Sequence, residues 1–327
     1  MCKSESIKVY EVTKETAEKL KVDEEELMYI ETEYGEKSVE IRSNFSVRHD
    51  NLKPEEYRLK CHIKEKLDKL RAVKGEILIA TYGGERPKGS DIENTLFYNI
   101  GTGQFGKIFT DFPKQVAFWE RPENSKQCVY EYKVEEVREN AHKSKNFPES
   151  FPEDSKKKLE TPIVEWNDIR INPKHGKSDK PDRYFAAIRS NFSKIQFSKQ
   201  GQKSNNKSFN FGIIIELTVP SKNCTSQPAS DMTKHLLDGV ICAFHGEEGE
   251  ETKKSVQKRF QKNGLNKDEI KKFFDKNSEQ LNLFGNRNYL TKSSRWNPED
   301  DRLQFGWIIV KCEGEEYKMS GEIYKWV

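Results

Sequence analysis

Asp91 and Glu93 are the first candidates for chemistry, because these two carboxylates lie two residues apart at the start of a predicted helix. Carboxylate oxygens are the ligands that hard divalent cations such as Mg²⁺ and Mn²⁺ prefer, so the pair could support metal-assisted chemistry. The alternative is a helix cap. Ser90 and Glu93 fit the capping box S-x-x-E, and Asp91 suits the positive end of the helix dipole.

A second group of charged residues lies on one face of a later predicted helix. Asp231, Lys234 and Asp238 are spaced three and four residues apart, which brings them to the same side of that helix. In a catalytic interpretation, Asp231 is a metal ligand, Lys234 stabilises phosphate charge and Asp238 is a second acid. In the plainer interpretation, Lys234 and Asp238 form an ordinary i,i+4 ion pair on a solvated face. The opposite face is apolar, which favours a chemical role for the charged stripe: Leu236, Leu237, Val240, Ile241 and Phe244.

Asp300 and Asp301 form a third acidic pair, between the turn signal Asn297-Pro298 and a predicted strand. Acids are common in turns. This pair is therefore a candidate metal site only in the company of the other carboxylates.

The most basic local surface is predicted on two amphipathic helices, at Glu251–Lys262 and Lys267–Leu283. A cluster of Lys and Arg on one helix face can bind a polyanion, although a plain solvated helix is the commoner outcome. The candidate nucleic-acid-binding residues are Lys254, Lys258, Arg259 and Lys262.

Both acidic helices follow an apolar run of strand length, GEILIATY at Gly75–Tyr82 and FNFGIIIELTV at Phe209–Val219. Such runs, bounded by turn residues, predict buried strands. Short helices are predicted within Thr13–Glu31 and a longer one at Pro54–Val73. Further strands are predicted at Ser38–Ser46, Gln115–Trp119, Val129–Val134, Tyr184–Ser193 and Leu303–Cys312, with Tyr317–Val327 as the antiparallel partner of the last.

The hexapeptide IRSNFS occurs twice, at Ile41–Ser46 and at Ile188–Ser193. In both halves the order is hexapeptide, apolar strand, Ser-Asp helix and glycine, which predicts an internal duplication. The predicted class is α/β (α+β), with two related halves that each form a small mixed or antiparallel sheet with helices on one face. The predicted units are residues 1–137, a charged linker at 138–160, and residues 161–327 with a helical insertion at 250–284.

Composition narrows the class of protein. The 327 residues suffice for two domains with apolar cores, and a net charge of +3 gives no global basic field. The six cysteines have no C-x-x-C spacing, so free thiols in a reducing compartment are the simplest expectation. No apolar run has the length of a membrane span. We expect a soluble, cytoplasmic protein with no membrane partner.

The order of the acidic motifs resembles the RusA-like Holliday-junction resolvases. Asp91–Asn94, read as D-I-E-N, is similar to the family's D-x-D-N. In the second half, Lys234 and Leu237-Asp238 are similar to the family's helix lysine and L-D pair, and Asp300-Asp301 to its downstream acids. Two positions depart from the pattern, because Phe97 stands where the first half would carry the lysine and Asp231 is one acid where two are expected.

The resemblance implies a Mg²⁺-dependent α/β endonuclease, since family members of that kind act as dimers on branched DNA. For this chain it implies a tandem form, either a pseudo-dimeric monomer or a homodimer, with divided or decayed sites. Mg²⁺ or Mn²⁺ is the implied cofactor and DNA the favoured partner. The alternative is a non-catalytic module that keeps the fold and binds nucleic acid or a protein partner.

Overall fold

One mixed sheet of ten strands runs through both halves of the chain in a computed structural model of the protein. Together with the helices it confirms the predicted α/β class. The structure describes residues 30–48, 51–87, 90–121, 127–137, 147–159, 161–175, 180–199, 209–224, 229–247, 249–274, 282–287, 290, 296, 298 and 300–326.

The described elements follow the predicted apolar runs closely in most places. The strands are β1 (Ile30–Gly35), β2 (Ser38–Ser43), β3 (Glu76–Gly83), β4 (Lys114–Glu120), β5 (Cys128–Glu136), β6 (Val164–Arg170), β7 (Ile195–Phe197), β8 (Asn210–Val219), β9 (Gly246–Glu247), β10 (Asn286–Arg287), β11 (Leu303–Cys312) and β12 (Lys318–Trp326). The helices are α1 (Pro54–Leu67), a π-helical turn (Asn94–Tyr98), α2 (Thr102–Phe105), α3 (Glu153–Lys158), α4 (Asp182–Ser190), α5 (Ala229–Ala243), α6 (Gly249–Lys262) and α7 (Lys267–Lys271).

The strand order of the large sheet repeats on the two sides of a central seam. From the seam outward, the first half runs β4-β3-β5-β2-β1 and the second half runs β11-β8-β12-β6-β7. In each half the two strands nearest the seam are parallel and all other neighbours are antiparallel. β4 and β11 meet antiparallel at the seam, where Phe118 pairs with Gly306. The duplication and the division at 138–160 stay predictions.

Helices α1, α4, α5 and α6 cover one face of the sheet. The main core lies between this face and the helices, and it buries apolar side chains from the sheet and from all four helices. Helices α4 and α5 approach very closely, because a Cβ atom built on Gly239 would lie 2.4 Å from the carbonyl oxygen of Pro181. This contact fixes α5, which carries Lys234 and Asp238, against the start of α4.

The opposite face of the sheet carries a smaller apolar cluster. Phe151 and Leu159 are buried there, and Phe147 packs with its ring centroid 5.5 Å from that of Trp307. The segment predicted as a charged linker therefore contains α3, and its described part, 147–159, packs against the sheet.

The predicted strand at Tyr184–Ser193 is wrong, because Asp182–Ser190 forms helix α4. The apolar residues Tyr184–Ile188 form an uninterrupted run, and periodicity does not separate a short buried helix from a buried strand. The two copies of the hexapeptide therefore lie in unlike elements, Ile41–Ser46 beginning in β2 and Ile188–Ser193 at the end of α4. The hexapeptide does not support the duplication.

Two other predictions about the second half need correction. β12 pairs with β8 and β6, whereas β11 pairs with β8 and β4, so β12 is not the partner of β11. The helix predicted at Lys267–Leu283 is shorter, since α7 ends at Lys271 and a 3₁₀ turn follows over Lys272–Phe274. The short helices predicted within Thr13–Glu31 fall on residues outside the described part of the structure, except for Ile30 and Glu31, which begin strand β1.

The expectation of free thiols fails for one pair of cysteines. Cys224 and Cys312 form a disulfide that joins the chain after β8 to the end of β11. Cys61, Cys128 and Cys242 are present as thiols. Within the described residues, no helix combines the length and the apolar character that crossing a bilayer requires.

Candidate functional site

Lys234 brings together acidic residues from both halves of the chain. Its Nζ atom lies 3.1 Å from Oδ1 of Asp238, 3.6 Å from Oδ2 of Asp91 and 3.7 Å from Oε2 of Glu93. Four of the predicted site residues thus form one cluster, which we call the composite cluster.

The composite cluster is largely shielded from solvent. Glu93 is 1% exposed, Asp91 3% and Asp238 8%, and all three count among the buried charged residues. Carboxylates this deeply buried repel one another strongly, because the low local dielectric screens little of their charge. The ammonium group of Lys234 offsets part of that repulsion.

The π-helical turn positions Asp91. Oδ1 of Asp91 accepts a hydrogen bond of 2.6 Å from the amide of Asn94, and Oδ2 accepts one from Nδ2 of the same residue. The Asn99 amide closes the turn by donating to the Asn94 carbonyl at 2.8 Å, five residues back. π-Helical turns occur frequently at functional sites, and here the turn holds one carboxylate in a fixed orientation.

The predicted capping box at Ser90 and Glu93 takes a different form. The Ser90 amide donates to the carbonyl of Pro87 at 2.9 Å, and the Ser90 hydroxyl accepts a hydrogen bond of 3.2 Å from Nδ2 of Asn99. Asp91 itself caps the turn, through the Asn94 amide. The side chain of Glu93 lies instead beside Lys234. Asp91 both caps the turn and belongs to the composite cluster.

Helix α5 supplies the other two members of the composite cluster. Lys234 and Asp238 are one helical turn apart, as the i,i+4 spacing predicts. The pair does not lie on a fully solvated face, because its neighbours Asp91 and Glu93 belong to the π-helical segment that packs against α5.

The remaining acidic candidates are not brought into contact with this cluster by any described interaction. Asp301 is exposed, and its backbone carbonyl accepts a hydrogen bond of 3.3 Å from Nη2 of Arg86, in the segment between β3 and the π-helical turn. Asp231 lies on α5 and Asp300 in the 3₁₀ turn Asp300–Arg302, but their side chains lie outside the described part of the structure.

The basic candidates divide into two kinds. Lys254, Lys258 and Lys262 are exposed and four residues apart, so they form one row along α6. Arg259 points elsewhere: its Nε atom lies 2.7 Å from Oδ1 of Asp182, and its guanidinium lies 5.5 Å from the ring centroid of Trp296. Arg259 therefore ties α6 to α4.

The donor chemistry of the composite cluster suits a hard cation, because three carboxylates supply only oxygen ligands. Among the described residues, no three His, Cys, Asp or Glu side chains already have the arrangement that would hold a metal ion. The Lys234 ammonium lies where the carboxylates of the composite cluster converge.

Sequence reasoning understates the contribution of Asn94 to this site. Its position directly after the second acid of the D-x-E motif Asp91–Glu93 would be the signal, since an amide side chain there can hold a carboxylate. Comparisons of the chain with protein-family models, curated proteins and solved structures found no match.

Proposed function

We propose that this protein is a divalent-metal-dependent endonuclease that hydrolyses phosphodiester bonds of DNA at the composite cluster. The observation that carries the proposal is the position of Lys234, whose ammonium lies 3.1–3.7 Å from three buried carboxylates contributed by both halves. Two halves that each carry an incomplete motif thereby supply one set of acids and one lysine.

In this proposal, Asp91, Glu93 and Asp238 would hold Mg²⁺ or Mn²⁺. Bound there, the ion would supply Lewis-acid stabilisation of charge on a phosphate group. Asp91 is already oriented by two hydrogen bonds from Asn94, and such pre-organisation is what a metal site needs. Lys234 would turn from the carboxylates toward the phosphate and stabilise the negative charge that develops during hydrolysis.

The lysine row of α6 supports a nucleic-acid substrate. Lys254, Lys258 and Lys262 present three exposed ammonium groups along one side of the helix. The row is connected rigidly to the composite cluster, because Arg259 binds Asp182 at the start of α4 and α4 packs closely on α5. A phosphate backbone bound along the row would displace counterions, so its affinity should fall as salt rises.

A non-catalytic nucleic-acid- or protein-binding module is the second candidate. It is favoured by the ammonium of Lys234, which already compensates part of the charge of the carboxylates without any metal. In that case the composite cluster is a structural ion-pair network that fastens the two halves together, and the α6 lysine row carries the function alone.

A cleavage assay on branched and duplex DNA in Mn²⁺ separates the two candidates. The test variant is Glu93→Gln, which removes one charged ligand and keeps the side chain's shape. The matched control is Glu76→Gln. Glu76 is another buried carboxylate, at the start of β3, and it pairs with Lys37. The nuclease proposal expects cleavage by the wild type and the control and none by Glu93→Gln. No cleavage of any DNA form by the wild type would leave the binding module as the function.

A further inference from the structure

Arg183, the second residue of α4, is a buried cation in an unusual setting. The residue is 1% exposed, so its guanidinium is removed from solvent almost completely. Its Nη2 atom donates to the hydroxyl of Tyr184 at 2.8 Å. Its Nε atom is also buried and donates to no acceptor in the described structure. The described residues provide no carboxylate that pairs with Arg183.

Two aromatic rings take the place of a carboxylate. The guanidinium carbon lies 4.8 Å from the ring centroid of Tyr184 and 4.9 Å from that of Tyr317. Cation–π contacts of this kind stabilise a desolvated cation more than an exposed one. Removing an ion from water costs more than such contacts return, so the rings compensate only part of the cost.

Two other buried charges on the same helix make more hydrogen bonds than Arg183 does. Arg189 is 3% exposed and donates to the backbone carbonyls of Phe273 and His245. Asp182 accepts hydrogen bonds from Arg259, Asn263 and Trp296. Arg183 therefore differs from these two neighbours in making a single described side-chain hydrogen bond, to a neutral hydroxyl.

The two rings that flank Arg183 differ in their exposure to solvent. Tyr184 is fully buried, whereas Tyr317 is partly exposed in the turn before β12. The Tyr317 hydroxyl accepts a hydrogen bond of 3.0 Å from Nδ2 of Asn223, and its carbonyl accepts one of 2.9 Å from the amide of Ile171. The last residues of β6 and β8 thus lie beside the first residues of β12, at one end of these strands.

We propose that Arg183 is the centre of a binding site for a phosphate-type oxyanion, which accepts a hydrogen bond from Nε and supplies the missing negative charge. The planar guanidinium matches the spacing of phosphate oxygens better than an ammonium does. The two tyrosine rings hold the guanidinium in one plane and so fix the direction of its free N–H group. This site is separate from the composite cluster, and the inference does not depend on nuclease activity.

Thermal unfolding of the full-length protein tests the site, with inorganic phosphate titrated against chloride at constant ionic strength. The test variant is Arg183→Met, which keeps a long apolar stem and removes the charge. The matched control is Arg189→Met, because Arg189 is equally buried and has its own carbonyl acceptors. A second arm compares a short oligonucleotide with and without a 5′-phosphate, which distinguishes free phosphate from phosphate carried on a nucleic acid.

We expect phosphate to raise the Tm of the wild type by on the order of 2 °C or more at saturating concentration. The shift should disappear in Arg183→Met and persist in Arg189→Met. If Arg183→Met does not fold, Tyr317→Leu takes its place as the test variant and should weaken the phosphate effect. A wild-type Tm that does not respond to phosphate, or an equal response in Arg183→Met, would overturn the proposal.

Discussion

The Nζ atom of Lys234 lies 3.7 Å from Oε2 of Glu93, although the two residues belong to opposite halves of the chain. The contact exists because the connection after β3 and helix α5, which follows β8, cover the same face of the sheet on the two sides of the seam. The first connection leads from β3 to β4 and the second from β8 to β11, which are the parallel strand pairs next to the seam. The charged residues of the two connections therefore come together.

Replacing Lys234 should destabilise the protein more than replacing an exposed lysine. In Lys234→Met, three buried carboxylates lose their shared cation, and breaking a buried ion pair in this way costs about 3 kcal/mol or more. Urea unfolding measures the change. Lys156→Met is the control, because Lys156 pairs with the exposed Glu153 and should cost less than about 1 kcal/mol. Equal losses in the two variants would show that the composite cluster does not hold the halves together.

Gly239 should tolerate no larger side chain. A Cβ atom there would lie 2.4 Å from the Pro181 carbonyl oxygen and 2.8 Å from Cβ of Tyr184, so α5 must move away from α4 in Gly239→Ala. We expect a loss of about 1–3 kcal/mol, which is typical of overpacking. Gly103→Ala is the control, because a Cβ at Gly103 meets no atom within 4 Å. Circular dichroism melts of both variants give the comparison, and a stable Gly239→Ala protein would contradict the close contact.

The Cys224–Cys312 disulfide should be detectable by alkylation. Unfolded, unreduced protein treated with iodoacetamide should be modified at Cys61 but not at Cys224 or Cys312, as read by mass spectrometry of peptides. The bond closes a long loop, with a sequence separation of 88 residues, so Cys312→Ser should cost about 4.6 kcal/mol in the chain-entropy estimate. Alkylation of Cys224 and Cys312 without reductant would contradict the disulfide.

Glu76 should contribute to the pH dependence of stability. Burial tends to raise the pKa of its carboxyl, but the hydrogen bonds from Lys37 and from the Val73 amide outweigh burial and lower it. A lowered pKa in the folded state stabilises the protein above the unfolded-state pKa of about 4.3, and this contribution is lost as the pH falls through the folded-state value. The free energy of unfolding of Glu76→Gln should therefore fall less steeply below about pH 4.5 than that of the wild type. Parallel pH profiles from urea titrations would argue against the lowered pKa.

The sequence predicts local features of this protein better than their assembly. The buried strands β3 and β8 follow from uninterrupted apolar runs, and the Lys234–Asp238 pair follows from helical spacing. Helix α4 is missed because it contains the uninterrupted apolar run Tyr184–Ile188, a pattern that a buried strand shares.

The contacts that unite the composite cluster depend on how the two halves join at the β4–β11 seam. Local periodicity carries no information about pairing between distant strands, so neither the seam nor the proximity of Glu93 to Lys234 follows from the sequence. The same holds for the pairing of Cys224 with Cys312, since scattered cysteines do not determine which thiols meet.

The most direct test of the central claim is an anomalous difference map from crystals grown or soaked in Mn²⁺. The account predicts a Mn²⁺ peak bound by Asp91, Glu93 and Asp238, with the Lys234 ammonium moved out of the composite cluster, and no such peak in Glu93→Gln crystals. A map without Mn²⁺ at these carboxylates, with Lys234 still among them, would contradict the account.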